Sequence, residues 1–130
     1  LTFRHPPVLT TQPVGITQCS GNTASFTVAA TVTPAATYQW RKGDTNLSNI
    51  AGQVSGATSA TLTLSAIDSA DAANYSCVVT NVCTSVTSSV VALTVNTGPS
   101  ITQQPSPLTL CAGNSNATFT VVASGTPTPT

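Results

Sequence analysis

Glutamate and methionine are absent from these 130 residues, and Lys, Arg and Asp together number six. Charged residues are 5% of the chain and the formal net charge is zero. Nucleic acid is excluded as a partner, because neutralising phosphates takes clustered Lys and Arg. Electrostatic attachment to an anionic membrane is excluded on the same ground. No apolar run approaches the roughly 20 residues that cross a bilayer, so direct membrane insertion is not expected in this stretch. With no Glu, the carboxylates are Asp44, Asp68 and Asp71, too few and too scattered for a two-carboxylate glycosidase site. The single histidine, His5, stands beside Pro6-Pro7 in what reads as an exposed linker. A Ser–His–Asp or Cys–His arrangement would have to be built on it. No C-x-x-C occurs, so a zinc site has no ligand set. No catalytic residue, cofactor or metal is expected. The missing Met and the lack of a signal-peptide pattern suggest an internal or mature piece of a longer exported chain.

What is present begins with a repeat. LTFRHPPVLTTQP opens the chain and LTVNTGPSITQQP starts at residue 93. Pro7 matches Pro99, Gln12-Pro13 matches Gln104-Pro105, and Cys19 matches Cys111, all at an offset of 92. After one extra residue in the second copy, Phe26-Thr27-Val28 matches Phe119-Thr120-Val121. A period of whole-domain size is expected to give three parts: 1–4 ending one unit, 5–96 a complete unit, and 97–130 a linker with the start of another. A unit of about 90 residues with 40% hydrophobic content can bury one small core.

Turn signals every 8 to 12 residues between short alternating runs predict an all-β sandwich or barrel. Strands are expected near Ile16–Gln18, Ala24–Thr31, Thr37–Arg41, Thr61–Ser65, Asn74–Thr80 and Ser85–Val95. Leu62 and Leu64 alternate with Thr61, Thr63 and Ser65, and Tyr75, Cys77 and Val79 share one face, so each strand should bury one side. No long helix is expected, only a helical turn within Ser69–Ala73 that Asp68 could cap. Asp44 follows Gly43 in a turn.

Tyr38-Gln39-Trp40 resembles the third strand of an immunoglobulin-like domain with its core Trp. Asp71-Ala72-Ala73-Asn74-Tyr75-Ser76-Cys77 resembles the D-x-A/G-x-Y-x-C run at the start of strand F, with Tyr75 as the tyrosine-corner residue. Gly56 to Leu62 is similar to the D–E region of bacterial immunoglobulin-like repeats. The resemblance covers residues 7–96 and recurs at 99–124. It implies an immunoglobulin-like β-sandwich with Val28, Trp40, Leu62, Leu64, Tyr75 and Cys77 in its core, and gives Asp71 a structural role. One departure stands out. The family's second core Cys should lie on strand B about a dozen residues before the Trp, where Val28 stands, and Val121 in the next copy. The usual inter-sheet disulfide cannot form, and Cys77 is expected to pack as a small hydrophobe.

Four Cys in an exported protein suggest an oxidising compartment. The resemblance puts Cys19 at the turn before strand B and Cys83 in the F–G loop, at opposite ends of one domain. Three states stay open: a bridge between adjacent domains using Cys19, Cys83 or Cys111, a Cys77–Cys83 hairpin bridge, or free thiols. Asn46-Leu47-Ser48, Asn74-Tyr75-Ser76 and Asn116-Ala117-Thr118 match the N-glycosylation pattern, but this composition gives about two to three matches by chance. Asn74 is expected to be partly covered inside its strand.

The resemblance implies a non-catalytic structural repeat of a long extracellular bacterial surface protein, adhesin or filament. Its partners would be neighbouring repeats, and other surface proteins or glycans. Two further readings share the same local sequence: a spacer or accessory module of a secreted multidomain hydrolase, and a strand-donating filament subunit.

Overall fold

The computed structural model describes residues 3–33, 35–107, 109, 112, 113 and 116–130. Strands β1 (His5–Thr11), β2 (Ile16–Cys19), β3 (Ala24–Thr27), β4 (Ala29–Thr33), β5 (Thr37–Lys42), β6 (Thr45–Asn46), β7 (Val54–Ser55) and β8 (Thr61–Leu64) come first. A 3-10 turn, Ser69–Asp71, precedes β9 (Ala73–Thr80), β10 (Ser85–Thr87) and β11 (Val91–Asn96). Two more strands, β12 (Ser100–Gln103) and β13 (Val122–Ser124), pair with each other.

Two layers enclose the core. One is the ladder β3-β8-β7, continued past Val28 by β4, which pairs β1. The other runs β2-β11-β9-β5-β6, with β10 also on β9. Every pairing in these layers is antiparallel except β2 on β11, where Ile16 opposes Leu93 and Cys19 opposes Asn96.

Period-2 patterning decides which side chains enter. On β3 and β8, Phe26 opposes Leu62 and Ala24 opposes Leu64, all buried. On the outer face of the same pair, the hydroxyls of Thr27 and Thr61 meet at 3.1 Å and those of Ser25 and Thr63 at 3.3 Å. From the other sheet come Trp40 and, directly across the ladder, Cys77, both 0% exposed. Phe26 fills the middle, its ring 5.3 Å from Tyr75 and 6.2 Å from Trp40 between centroids. Val28, Leu62, Leu64 and Tyr75 complete the set named from sequence, joined by Ala57, Ile67 and Val79. The indole N–H of Trp40 donates to the Ser59 carbonyl at 2.8 Å, so the largest core residue leaves no polar atom unpaired.

Four expectations need correction. His5–Thr11 is a strand rather than linker: His5 pairs with Thr33 and its side chain is exposed. Pro6 and Pro7 are tolerated there because β1 is a sheet edge, where a missing N–H breaks no central ladder. The single strand expected over Ser85–Val95 is two, because Ser88 turns inward between them. Its hydroxyl accepts from the Cys77 N–H at 2.8 Å and donates to the Ser89 carbonyl. Likewise Ala24–Thr31 is two strands: the register on β8 runs on through Val28, whose N–H donates to the Ala60 carbonyl at 3.0 Å, and from Ala29 the chain pairs with β1 instead. Asn74 is exposed rather than partly covered, since it alternates outward between half-buried Ala73 and buried Tyr75.

Candidate functional site

Two of the three carboxylates, those of Asp68 and Asp71, are committed to structure. Asp68 Oδ1 accepts from the Ala70 N–H at 2.7 Å, and Asp71 Oδ2 accepts from the Asp68 N–H at 3.0 Å, a reciprocal cap on the 3-10 turn. The Tyr75 hydroxyl donates to the Asp71 carbonyl at 2.7 Å, locking this turn to β9. Lys42 Nζ lies 4.0 Å from Asp71 and donates to the Ala70 carbonyl. Asp44 occupies the β5–β6 turn, and its carbonyl accepts from Arg41. His5 lies on a different sheet. No group of three His, Cys, Asp or Glu suited to a metal occurs among the described residues. Two open depressions, one lined by Ile50, Gly52, Gln53 and Ser65 and one by Gln12, Val14, Ser25 and Thr27, hold no titratable side chain. No helix among the described residues is long and apolar enough to cross a membrane.

The remaining reactive side chains are the cysteines. Cys77 is sealed in the core, and burial pushes its thiol up to about 11, against a smaller lowering by a hydrogen bond with the Gln39 backbone. At neutral pH it is therefore a thiol and a poor nucleophile. Cys19 and Cys83 are exposed and unbonded, and Cys111 lies outside the described residues.

The two exposed cysteines mark opposite poles of the sandwich. Cys83 lies in the turn between β9 and β10, built on one side chain. Asn81 Oδ1 accepts from the Cys83 and Thr84 N–H groups at 2.9 and 3.2 Å, and Asn81 Nδ2 donates to the His5 carbonyl at 2.6 Å. The turn is thereby tied to the first residue of β1. Asn is a turn-favouring residue, but the grip of Asn81 on a residue 76 positions away is not legible in the local sequence. Cys19 sits at the far end, beside Asn96 on the last step of β11, with Ser20 N–H donating to the Asn96 carbonyl at 2.8 Å. From Ser85 to Asn96 the chain runs one sandwich length, about 35 Å at 3.3 Å per residue.

Beyond that pole, β12 and β13 repeat the geometry of β1 and β4. Ser100 pairs with Ser124, Ile101 with Ala123 and Gln103 with Val122, where Val8 pairs with Thr31, Leu9 with Ala30 and Thr11 with Ala29. Subtracting 92 and 93 converts one set into the other, including the register shift before the last pair. Val121 and Phe119, the counterparts of buried Val28 and Phe26, are 55% and 63% exposed.

Two sheets, a core Trp and a tyrosine corner define an immunoglobulin-like β-sandwich. The immunoglobulin domain model matches residues 6–81, and the chain belongs to that family. It is 40% identical over 125 residues to endoglucanase C of Cellulomonas fimi, covering 95% of this chain and 11% of that protein. The chain thus spans about a tenth of that relative's length. Among solved structures it resembles the I-band fragment I67–I69 of titin, with a TM-score of 0.69 at 24% identity, over 79% of this chain and 37% of that one. It also resembles the N-terminal Ig1-2 module of the Drosophila receptor protein tyrosine phosphatase DLAR, with a TM-score of 0.64 at 30% identity, over 78% and 58%.

Proposed function

We propose that this chain is a non-catalytic, tandemly repeated spacer of a long extracellular bacterial protein, whose immediate partners are neighbouring modules of its own kind. The observation that carries this reading is the register of β12 on β13, which reproduces that of β1 on β4 one period later. Only the short segment 97–99 separates β11 from β12, and Pro99 restricts its φ. Each module then adds one sandwich length, about 35 to 45 Å. The commitment of Asp68 and Asp71 to capping supports a structural role over a catalytic one.

The match to an 11% portion of an endoglucanase favours an accessory module of a secreted hydrolase as the parent. A surface stalk or adhesin would use the same extension, with other surface proteins or glycans as its targets. In-frame removal of residues 5–96 from the parent chain tests the reading. Small-angle scattering should show the maximum dimension falling by about one module, with the activity of any separate catalytic domain retained on a soluble substrate. A parent with no second module, or loss of chemistry with the remaining domains folded, would overturn it.

A further inference from the structure

We propose that Cys19 forms a disulfide with the Cys83-type cysteine of the module that follows, and Cys83 with the Cys19-type cysteine of the module before, so that each junction is covalently stapled. This rests on the tandem reading above. Cys19 lies directly across the β2–β11 ladder from Asn96, and the next residue is Thr97. One period earlier the place of Thr97 is held by His5 (97 − 92 = 5). The hydrogen bonding agrees: the Thr97 carbonyl accepts from the Thr126 N–H at 3.1 Å, where His5 pairs with Thr33 (126 − 93 = 33). In the complete module the His5 carbonyl also accepts from Asn81, whose side chain holds the Cys83 backbone. Transferred by one period, the next module's turn seats its Asn on the Thr97 carbonyl and presents its Cys at the same junction as Cys19. What lies between the two cysteines is one ladder step of about 4.8 Å, one peptide step of about 3.8 Å and the Asn side-chain amide with its two hydrogen bonds, one to the Thr97 carbonyl and one from the Cys N–H. A hinge rotation about 97–99 that folds this path back brings the pair within the roughly 7 Å between Cα atoms that a disulfide spans.

Pairings inside the module fail on geometry. Cys19 and Cys83 are a sandwich length apart. Cys77 lies three residues from Thr80, the residue that opposes Ser85 at the turn, so it is about 10 Å along the strand from where the turn carrying Cys83 begins. It is also fully buried, while Cys83 is exposed. The recurrence of Cys19 as Cys111 puts one half of the same pair at the next junction.

The chemistry is a thiol–disulfide exchange. The Cys19 and Cys83-type thiols form one S–S bond while the protein disulfide of an extracytoplasmic thiol oxidant breaks. The two electrons, and by way of solvent the two protons the thiols give up, pass to the oxidant's sulfurs, and it leaves as a dithiol.

The test uses the native parent protein, alkylated without prior reduction, digested and mapped by mass spectrometry. The expected result is a peptide containing Cys19 joined to a Cys83-type peptide of the following module. Alkylated, free Cys19 and Cys83 in a parent that does contain tandem modules would overturn the staple and leave the spacer reading standing. A map with no following module would overturn both. A full-length Cys19→Ser variant gives the second readout. Its scattering profile should broaden as reduced wild type does while the modules' Tm stays unchanged. A profile identical to oxidised wild type would count against the proposal.

Discussion

Replacing Trp40 with Ala removes the largest side chain of the core at a position with no solvent exposure. Three losses combine. The transfer and cavity cost of a fully buried Trp→Ala change is about 3 to 5 kcal/mol. The ring also packs beside Phe26, whose face it shares with Tyr75, and crosses the ladder from Cys77, so collapse of the void would disturb both sheets. Finally the Ser59 carbonyl loses the donor it holds at 2.8 Å, adding about 1 kcal/mol or more if water cannot reach it. A domain of this size has a total stability of only about 5 to 14 kcal/mol. The variant should therefore be marginal or unfolded at room temperature. Urea titration followed by far-UV circular dichroism measures this. Trp40 is the sole Trp, so its fluorescence reports on wild type alone, with blue-shifted emission that moves red on unfolding. Trp40→Phe keeps most of the volume and should recover more than half of the loss. A Trp40→Ala variant less than about 1 kcal/mol below wild type, with an unchanged m-value, would refute the assignment of Trp40 as the packing centre.

Other changes probe the turns and the sheet-to-sheet contact. Gly56 has φ +73°, and a Cβ there would lie 1.9 Å from the Thr61 carbonyl oxygen, so Gly56→Ala should destabilise by at least 1 to 3 kcal/mol in thermal unfolding; a shift of Tm under about 2 °C would contradict that strain. Tyr75→Phe, which orphans the Asp71 carbonyl, should cost about 1 to 3 kcal/mol by denaturant titration, and a neutral result would deny the tyrosine corner its energetic role. Burial, with the Asp71 charge as the lesser cause, pushes the Tyr75 hydroxyl up to about 12. Because the folded state holds the proton more tightly than the unfolded chain, stability is full below about pH 10 and should fall as pH rises from there through 12, a trend that Tyr75→Phe should weaken. Val28→Cys should let Cys77 form the family's usual inter-sheet disulfide, closing a loop of about 50 residues and adding about 4 kcal/mol that reductant removes; failure to oxidise would place Val28 away from Cys77.

Period-2 alternation and a few fixed residues were enough to determine the sandwich and its core from sequence. Leu62 and Leu64 had to point one way because successive strand residues face opposite sides, and Trp40 with Tyr75-x-Cys77 named the two strands that meet in the middle. Asp68 was legible as a cap because its chemistry is local. Elsewhere the decision was tertiary. Pro6 and Pro7 argue against a strand, yet β1 forms because it lies at an edge. The inward turn of Ser88 answers an N–H on another strand, which no local pattern announces. The plainest case is the run through Phe26-Thr27-Val28 into Ala29, which reads locally as one unbroken strand. Phe26 and Val28 are each 1% exposed because β8 supplies a ladder and the opposite sheet supplies a lid. From Ala29 the backbone pairs with β1 instead of β8, an exchange set by where β1 lies and not by any residue beside Val28. A partner for the backbone N–H and C=O groups and a second apolar surface to exclude water are supplied only by the tertiary structure.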